Sequence, residues 1–353
     1  MLAFKRDVDP LPYVSSLLFD FATGPDIIRL LAVPVFGWAA YRDIETRRVP
    51  NWTWLPLAVA GLLALAWDAW LVADAAAFEQ RRFAVQVVLS VGLVAPLGYI
   101  FWRLGGFGGA DAKAIMTLAL LLPVYPAFFV GTGVYPPSGN QPPLGVFSLS
   151  ILSNTVLVGL AYPFFLAGVN ALRGAFTPAM FIGRAVAVDD ILSEYGRLLE
   201  TTEGFTRQGL DIDALRMYLR WRGVSFEAVR ATPDRYRHPL PTERNDPGDG
   251  SIAADERALT DGGSVITDAS DAPEAAVRPL DTWGAERFLE EHSAYGTTPE
   301  ELREGLEVLT EPNRDSVWIT PGVPFIVPMF VGLLLALTFG DLLFVLLGLF
   351  GAA

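Results

Sequence analysis

Long runs of apolar residues dominate the chain and fix the medium in which it can fold. They fall at Ile27–Tyr41, Trp52–Ala73, Phe83–Leu104, Ala112–Val130, Val146–Leu172 and from Pro324 to Ala353. A stretch of about 18 or more such residues has the length of a helix that crosses a hydrocarbon core of about 30 Å. Lipid offers no water to unpaired N–H and C=O groups, so such stretches must be helical. The expected fold class is an all-α membrane protein, a polytopic bundle of about six transmembrane helices. The first run is short for a crossing, and the last invites a break at Gly340–Asp341.

Composition agrees and removes several kinds of chemistry. Hydrophobic residues make up 52% of the 353 and charged residues 18%, against about 25% charged in ordinary soluble domains. With no cysteine, a disulfide scaffold, a thiolate metal site and a cysteine nucleophile are ruled out. Only His238 and His292 are present, which nearly excludes a zinc site built on histidine. No metal and no cofactor are expected.

The net charge of −13 is unevenly placed. Gly174–Trp318 carries 15 Arg against 28 Asp and Glu, which accounts for all of it and leaves the rest of the chain neutral. Lysine occurs only at Lys5 and Lys113. An acidic surface poor in lysine suits a protein kept hydrated in high salt, where repulsion is screened, and points to a halophilic host. A basic face for nucleic acid is missing.

Four parts follow from this pattern: an N-terminal tail (1–24), a transmembrane core holding five spans (25–173), an acidic cytoplasmic insert (174–318) and a final transmembrane segment (319–353). Met1–Ala22 lacks the pattern of a cleaved signal peptide. The insert is expected to be poor in α/β structure and partly disordered. Helical periodicity covers DDILSEYGRLLE (189–200) and DIDALRMYLRWR (211–222), while Pro239–Leu280 is rich in Pro, Gly, Asp and Ser and is expected to be flexible. Thr298 with Pro299 looks like a helix start, and Ser316–Thr320 is β-like. Arg42, Arg47, Arg48, Arg103, Lys113 and Arg173 lie at one set of span ends, against Lys5, Arg6, Arg29, Arg81 and Arg82 at the other. That margin puts the first and third loops and the insert on the cytoplasmic side of the plasma membrane.

Asp43 follows the first span and Asp111 the third, so the two crossings between them return both to one face of the membrane. Two carboxyls at a lipid boundary can share a proton near neutral pH, one acting as base on a water and the other as acid. Around Asp43 the chain reads YRDIETRRVPNW (41–52), where Pro50 ends one helix and Asn51 is suited to cap the next. Taken alone, that piece is equally a helix hairpin whose charges are interfacial anchors. Around Asp111 it reads Gly105-Gly106-Phe107-Gly108-Gly109-Ala110-Asp111-Ala112-Lys113. Its glycines allow positive φ and close approach of another backbone. A phosphate-binding loop is excluded because Lys113 sits between Ala112 and Ala114 and no G-x-G-x-x-G is completed. Lys113 does not share a helix face with Asp111 and is expected to snorkel to the interface.

The D-x5-V-P-N arrangement from Asp43 to Asn51, together with Gly108-Gly109-Ala110-Asp111-Ala112-Lys113, resembles the two catalytic signatures of the type IV prepilin peptidases, the GxGD class of membrane aspartic proteases. The similarity is to the archaeal branch, the prepilin and preflagellin (prearchaellin) peptidases, and WITPGVPF (318–325) looks like a segment those members carry before the last span. It covers about Ile27–Leu172 and Ser316–Val331. The resemblance implies an endopeptidase that removes the leader of prepilin or archaellin precursors at the cytoplasmic face. It implies Asp43 and Asp111 as catalytic acids, with Gly105, Gly106, Gly108, Gly109, Ala110, Lys113, Pro50 and Asn51 as the substrate loop and its support. Its partners would be those precursors and the lipid bilayer, with no nucleic acid and no metal. Ala110 stands where the signature has glycine, which narrows the expected loop geometries. The cysteine-containing module of bacterial members and the signatures of presenilin-like proteases are missing.

Other polar residues have plainer readings. Asp68 is expected at the outer interface, Trp52, Trp54 and Trp102 in aromatic belts, and Asn154 and Asn170 between helices. Asp341 is either a functional intramembrane acid or the cap of a helix break. The competing function is a small ion-coupled transporter using Asp68, Asp111 and Asp341, although the internal repeat common in such folds is not seen.

Overall fold

The computed structural model describes residues 21–104, 107–238, 245–252, 281–321 and 324–349. Most of the N-terminal tail, Gly105 and Gly106, and the stretch expected to be flexible apart from 245–252 lie outside the described residues. The chain divides into two compact units, Met1–Gly159 with Pro324–Ala353, and Leu160–Val323.

The first unit is built from helices α1 (Gly24–Arg29), α2 (Ala32–Thr46), α3 (Trp54–Val72), α4 (Ala77–Leu89), α5 (Ala95–Arg103), α6 (Gly109–Leu121) and the start of α7 (Phe147–Leu172). A five-residue π segment, Ser90–Val94, joins α4 to α5, and a hairpin of β1 (Phe128–Val130) and β2 (Gly133–Tyr135) precedes α7. The C-terminal pair Ile326–Thr338 and Leu342–Leu349 is bent by 64°. Among the described residues three helical stretches are long and apolar enough to cross a membrane: Asn51–Val72, Ala77–Arg103 and Phe147–Leu172. The bent pair makes a fourth if it counts as one span.

Two of the runs read as spans take a different form. The first breaks at Leu30 and Leu31 into α1 and a 15-residue α2. The fourth yields a 13-residue α6, because Pro123 and Pro126 cannot continue a helix and the chain becomes extended into β1. At ~1.5 Å per residue these helices measure about 23 and 20 Å. The shortness of α6 is matched by burial. Ala112, Ala114, Ile115, Leu118, Ala119 and Leu121 of α6 are all buried. Small residues let its neighbours close on it: a Cβ at Gly61 of α3 would lie 3.0 Å from the Leu121 backbone, and one at Gly98 of α5 would lie 3.0 Å from Ile115.

Buried polar groups tie these helices together. Arg29 donates to Asp26 at 2.8 Å, to the Leu121 carbonyl at 3.1 Å and to Asp68, which makes Asp68 an ion-pair partner. Ser90, at the start of the π segment, bonds the Ala119 carbonyl and Ser148. Asp341 caps the last helix through the Phe344 N–H at 3.0 Å and accepts from Ser150 and Ser153, while Asn154 bonds the Gly340 carbonyl and the Leu342 N–H across the break. Of the two readings of Asp341, the cap is the one its hydrogen bonds serve. Trp54, expected in a belt, is buried against Phe36, whereas Trp52 and Trp102 are exposed.

The second unit corrects the expectation of a segment poor in α/β structure. Strands β3 (Arg184–Ala187), β4 (Gly196–Leu198), β5 (Glu200–Thr201), β6 (Gly204–Phe205) and β7 (Ser316–Pro321) form an antiparallel sheet in the order β3-β7-β4 and a separate β5-β6 pair. Helices Ile212–Arg222, Ala285–Glu291 and Pro299–Leu309 supply much of the remaining core, with Tyr218, Trp283, Phe288, Leu306, Val317 and Ile319 buried in it. The helix expected over 189–200 is instead a 3-10 turn, Val188–Ser193, followed by β4. Gly196, at φ 130°, gives the chain a turn that helical backbone does not allow. Thr298 and Glu301 form the reciprocal cap expected from the sequence. Asn170 does not bridge helices but bonds the Met180 and Gly183 carbonyls.

Two predictions follow from buried charge. Arg29→Met would leave the Asp26 and Asp68 carboxylates without their cation, and should cost about 3–5 kcal/mol. A melting midpoint in detergent equal to that of the unaltered chain would refute this. In the second unit Asp211 caps helix Ile212–Arg222 through the Asp213 N–H at 2.9 Å. Burial first, and the Asp213 charge second, push its carboxyl up to about 6. The folded chain then holds a proton that the unfolded chain has released, so stability falls as pH rises from about 4 to about 6. Asp211→Asn keeps the cap, since the two residues cap helices about equally well. It should flatten that fall and gain on the order of 1 kcal/mol at pH 7, read from melting curves at pH 4.5 and 7.

Candidate active site

Asp43 lies in the last turn of α2, which closes at Arg47 in the left-handed region (φ 54°) with its N–H on the Asp43 carbonyl at 3.2 Å. The Asp43 side chain is buried, at 8% exposure. The backbone N–H of Ile326 meets its carboxylate, and the Arg47 guanidinium is within electrostatic reach. Its Oδ2 is buried with no hydrogen-bond partner among the described residues.

Asp111 occupies the third position of α6. Its Oδ2 turns back to accept the N–H of Gly108, the residue before the helix, at 3.1 Å. That is half of a capping box. Gly108 has no side chain to complete it, and a Cβ there would meet Asp111 Oδ2 at 3.0 Å. The acid therefore satisfies an orphan amide and adds negative charge at the helix N-terminus. The two carboxyls interact: the charge of Asp43 is felt at Asp111.

The glycines serve close approach rather than unusual torsions. Gly108 has φ −65°, and Gly109 opens the helix without positive φ. Ala110 is a helical residue of the first turn, where alanine is the best helix former, so the expected narrowing of loop geometry does not arise. Gly105 and Gly106 lie outside the described residues.

Lys113 corrects its expected role. Instead of snorkelling, its Nζ donates to Asn51 Oδ1 at 2.6 Å, joining the second motif to the first. Asn51 in turn leaves helix capping aside and starts the 3-10 turn Asn51–Thr53, introduced by Pro50 in extended backbone (φ −58°, ψ 140°). A second link escaped the sequence reading. Phe107 packs at a tilt against Phe325, with ring centroids 4.7 Å apart, and against Phe101 at 5.1 Å. This packs the loop before Asp111 against the residue preceding Ile326, whose N–H serves Asp43. Aromatic residues flanking both segments were the available signal. Among the described residues, no three His, Asp or Glu side chains converge as a metal site.

The arrangement is that of a membrane-embedded helical unit presenting two interacting carboxyls at the ends of two short helices. Residues 30–165 match the model of the Type IV leader peptidase family, and residues 260–342 match that of the Archaeal Peptidase A24 C-terminus Type II. The chain belongs to the type IV leader peptidase family. It is 31% identical over 129 residues to the prepilin peptidase EppA of Methanothermobacter thermautotrophicus, covering 35% of this chain and 31% of that protein. It is 28% identical over 138 residues to the preflagellin peptidase of Methanococcus voltae, covering 38% and 54%. The preflagellin peptidase of Methanocaldococcus jannaschii is 22% identical over 174 residues, covering 47% and 69%. The chain thus spans between 31% and 69% of the length of these relatives.

Proximity of the two acids can be tested without any activity, because the chain has no cysteine of its own. The double variant Asp43→Cys with Asp111→Cys should form an intramolecular bridge with a short bifunctional thiol reagent, seen as a mobility shift on a denaturing gel. Failure to bridge in folded protein would separate the pair.

Proposed function

We propose that the protein is a membrane aspartic endopeptidase that removes the leader of prepilin or archaellin precursors at the cytoplasmic face of the plasma membrane. The observation that carries this reading is the interacting pair Asp43 and Asp111, with one Asp43 oxygen buried and without a hydrogen-bond partner among the described residues. The names of the relatives, prepilin and preflagellin peptidases, supply the substrate class. In this reading the membrane is crossed six times: by α2, α3, the α4–α5 run, α6, α7 and the C-terminal bent pair, with the two short helices lengthened by their non-helical flanks.

A precursor whose apolar helix lies in the bilayer presents its cleavage site at the depth of the two acids. One carboxylate takes a proton from a water as that water attacks the scissile carbonyl. The other, protonated, donates to the carbonyl oxygen, giving a tetrahedral diol; as the C–N bond breaks, the first carboxyl passes the proton it took from water to the leaving amine, and the second recovers a proton from the diol as the new carboxyl forms. The pair titrates jointly, so the roles belong to the dyad. Gly108 and Gly109 leave room for an extended substrate backbone, and the Lys113–Asn51 and Phe107–Phe325 contacts hold the motifs in register. The transporter reading loses support because Asp68 and Asp341 are engaged by Arg29 and by a helix cap.

Asp43→Asn and Asp111→Asn keep size and remove the acid. Each should reduce leader removal from a co-expressed precursor by on the order of 10²-fold or more. Normal processing in either variant overturns the dyad.

A further inference from the structure

The chain leaving α7 reads RGAFTPAMFIG (173–183), with one charge and four large apolar side chains, Phe176, Met180, Phe181 and Ile182. Such a connector into an acidic unit would ordinarily be polar. Gly174, at φ 75°, ends the helix, and the Ala175 N–H bonds back to the Asn170 carbonyl at 2.9 Å. A 3-10 turn, Pro178–Phe181, follows. The Phe181 ring then meets the edge of Phe164, at a centroid distance of 6.4 Å. Phe164 lies eight residues before the end of α7, about 12 Å back along its axis.

Phe164 belongs to a stripe on α7, with Val156, Leu160 and Phe164 exposed at four-residue spacing in a helix apolar and long enough to span. On a helix of spanning length such an exposed apolar stripe suits acyl chains, and Phe181 extends it through its contact with Phe164. Phe176 is 73% exposed, and Phe181 and Ile182 are exposed too. The returning backbone is irregular, and Asn170 Nδ2 satisfies its Met180 and Gly183 carbonyls, each at 2.8 Å. Irregular backbone needs such internal partners where water is scarce. Arg173 and Arg184 bound the apolar stretch on both sides, which suits immersion to the interface and no deeper.

We propose that residues 175–183 are an interfacial foot, with Phe176, Phe181 and Ile182 inserted at the boundary between lipid headgroups and acyl chains beside α7. The foot fastens the start of the acidic unit to the bilayer surface. Its occupant is lipid, because the exposed side is continuous with the stripe of α7 that faces acyl chains.

The cysteine-free chain allows single nitroxide labels in the full protein, reconstituted in phosphatidylcholine–phosphatidylglycerol vesicles. Phe164→Cys serves as the lipid reference and Glu227→Cys, exposed on helix Phe226–Ala231, as the aqueous one. Oxygen concentrates among acyl chains and a nickel chelate stays in water. The ratio of their collision rates at Phe181→Cys and Phe176→Cys should therefore fall within about threefold of the lipid reference and about tenfold or more above the aqueous one. A ratio at the aqueous value overturns the proposal. So does suppression of both collision rates, which would mean that protein covers the segment. If Phe181→Cys does not fold, Ile182→Cys with Phe176→Cys decides the same question.

Discussion

The membrane unit depends on keeping a helix too short for the bilayer buried by its neighbours. α6 has 13 residues, and a backbone of that length in lipid leaves terminal N–H and C=O groups that must find partners in protein. Glycines at 61 and 98 bring α3 and α5 against it, and the Leu121 and Ala119 carbonyls near its end are taken up by Arg29 and Ser90. At its other end the orphan Gly108 amide is taken up by Asp111. The acid is thus both part of the helix's closure and a member of the carboxyl pair.

The same economy explains how two acids distant in sequence are kept together. Asp43 is set by the end of α2 and by the Ile326 amide, and Asp111 by its own helix start. Neither position rests on a flexible loop. Lys113 to Asn51 and Phe107 to Phe325 cross-brace the segments that carry them. Sites held on regular elements and braced by neighbouring contacts keep their geometry better than sites on loops.

The bundle's helical character, the position of Asp43 and Asp111 at helix ends and the cap at Thr298 were legible because each has a local signature: hydropathy, spacing, or capping chemistry. The break before α2 and the length of α6 were not, since Leu30–Leu31 and the extended residues after Leu121 are as apolar as a span. The roles of Lys113 and Asn51 were missed for a related reason: their bond joins residues 62 apart, and periodicity reports only neighbours within a few turns. In the second unit, DDILSEYGRLLE carries leucines at helical spacing, but Leu198 and Leu199 are buried as strand and loop residues around a glycine whose torsions no helix shares. Tertiary pairing with β7 overrode the local preference.

That sheet order has a bearing on biosynthesis. Among the described residues β3 and β4 are joined through β7, which is the last of the strands in the chain. As the polypeptide emerges from the ribosome, the first two strands wait with open edges until residue 321 has been made, more than a hundred residues later. The unit therefore closes as one late event, and a nascent chain halted before β7 holds two strands with nothing between them.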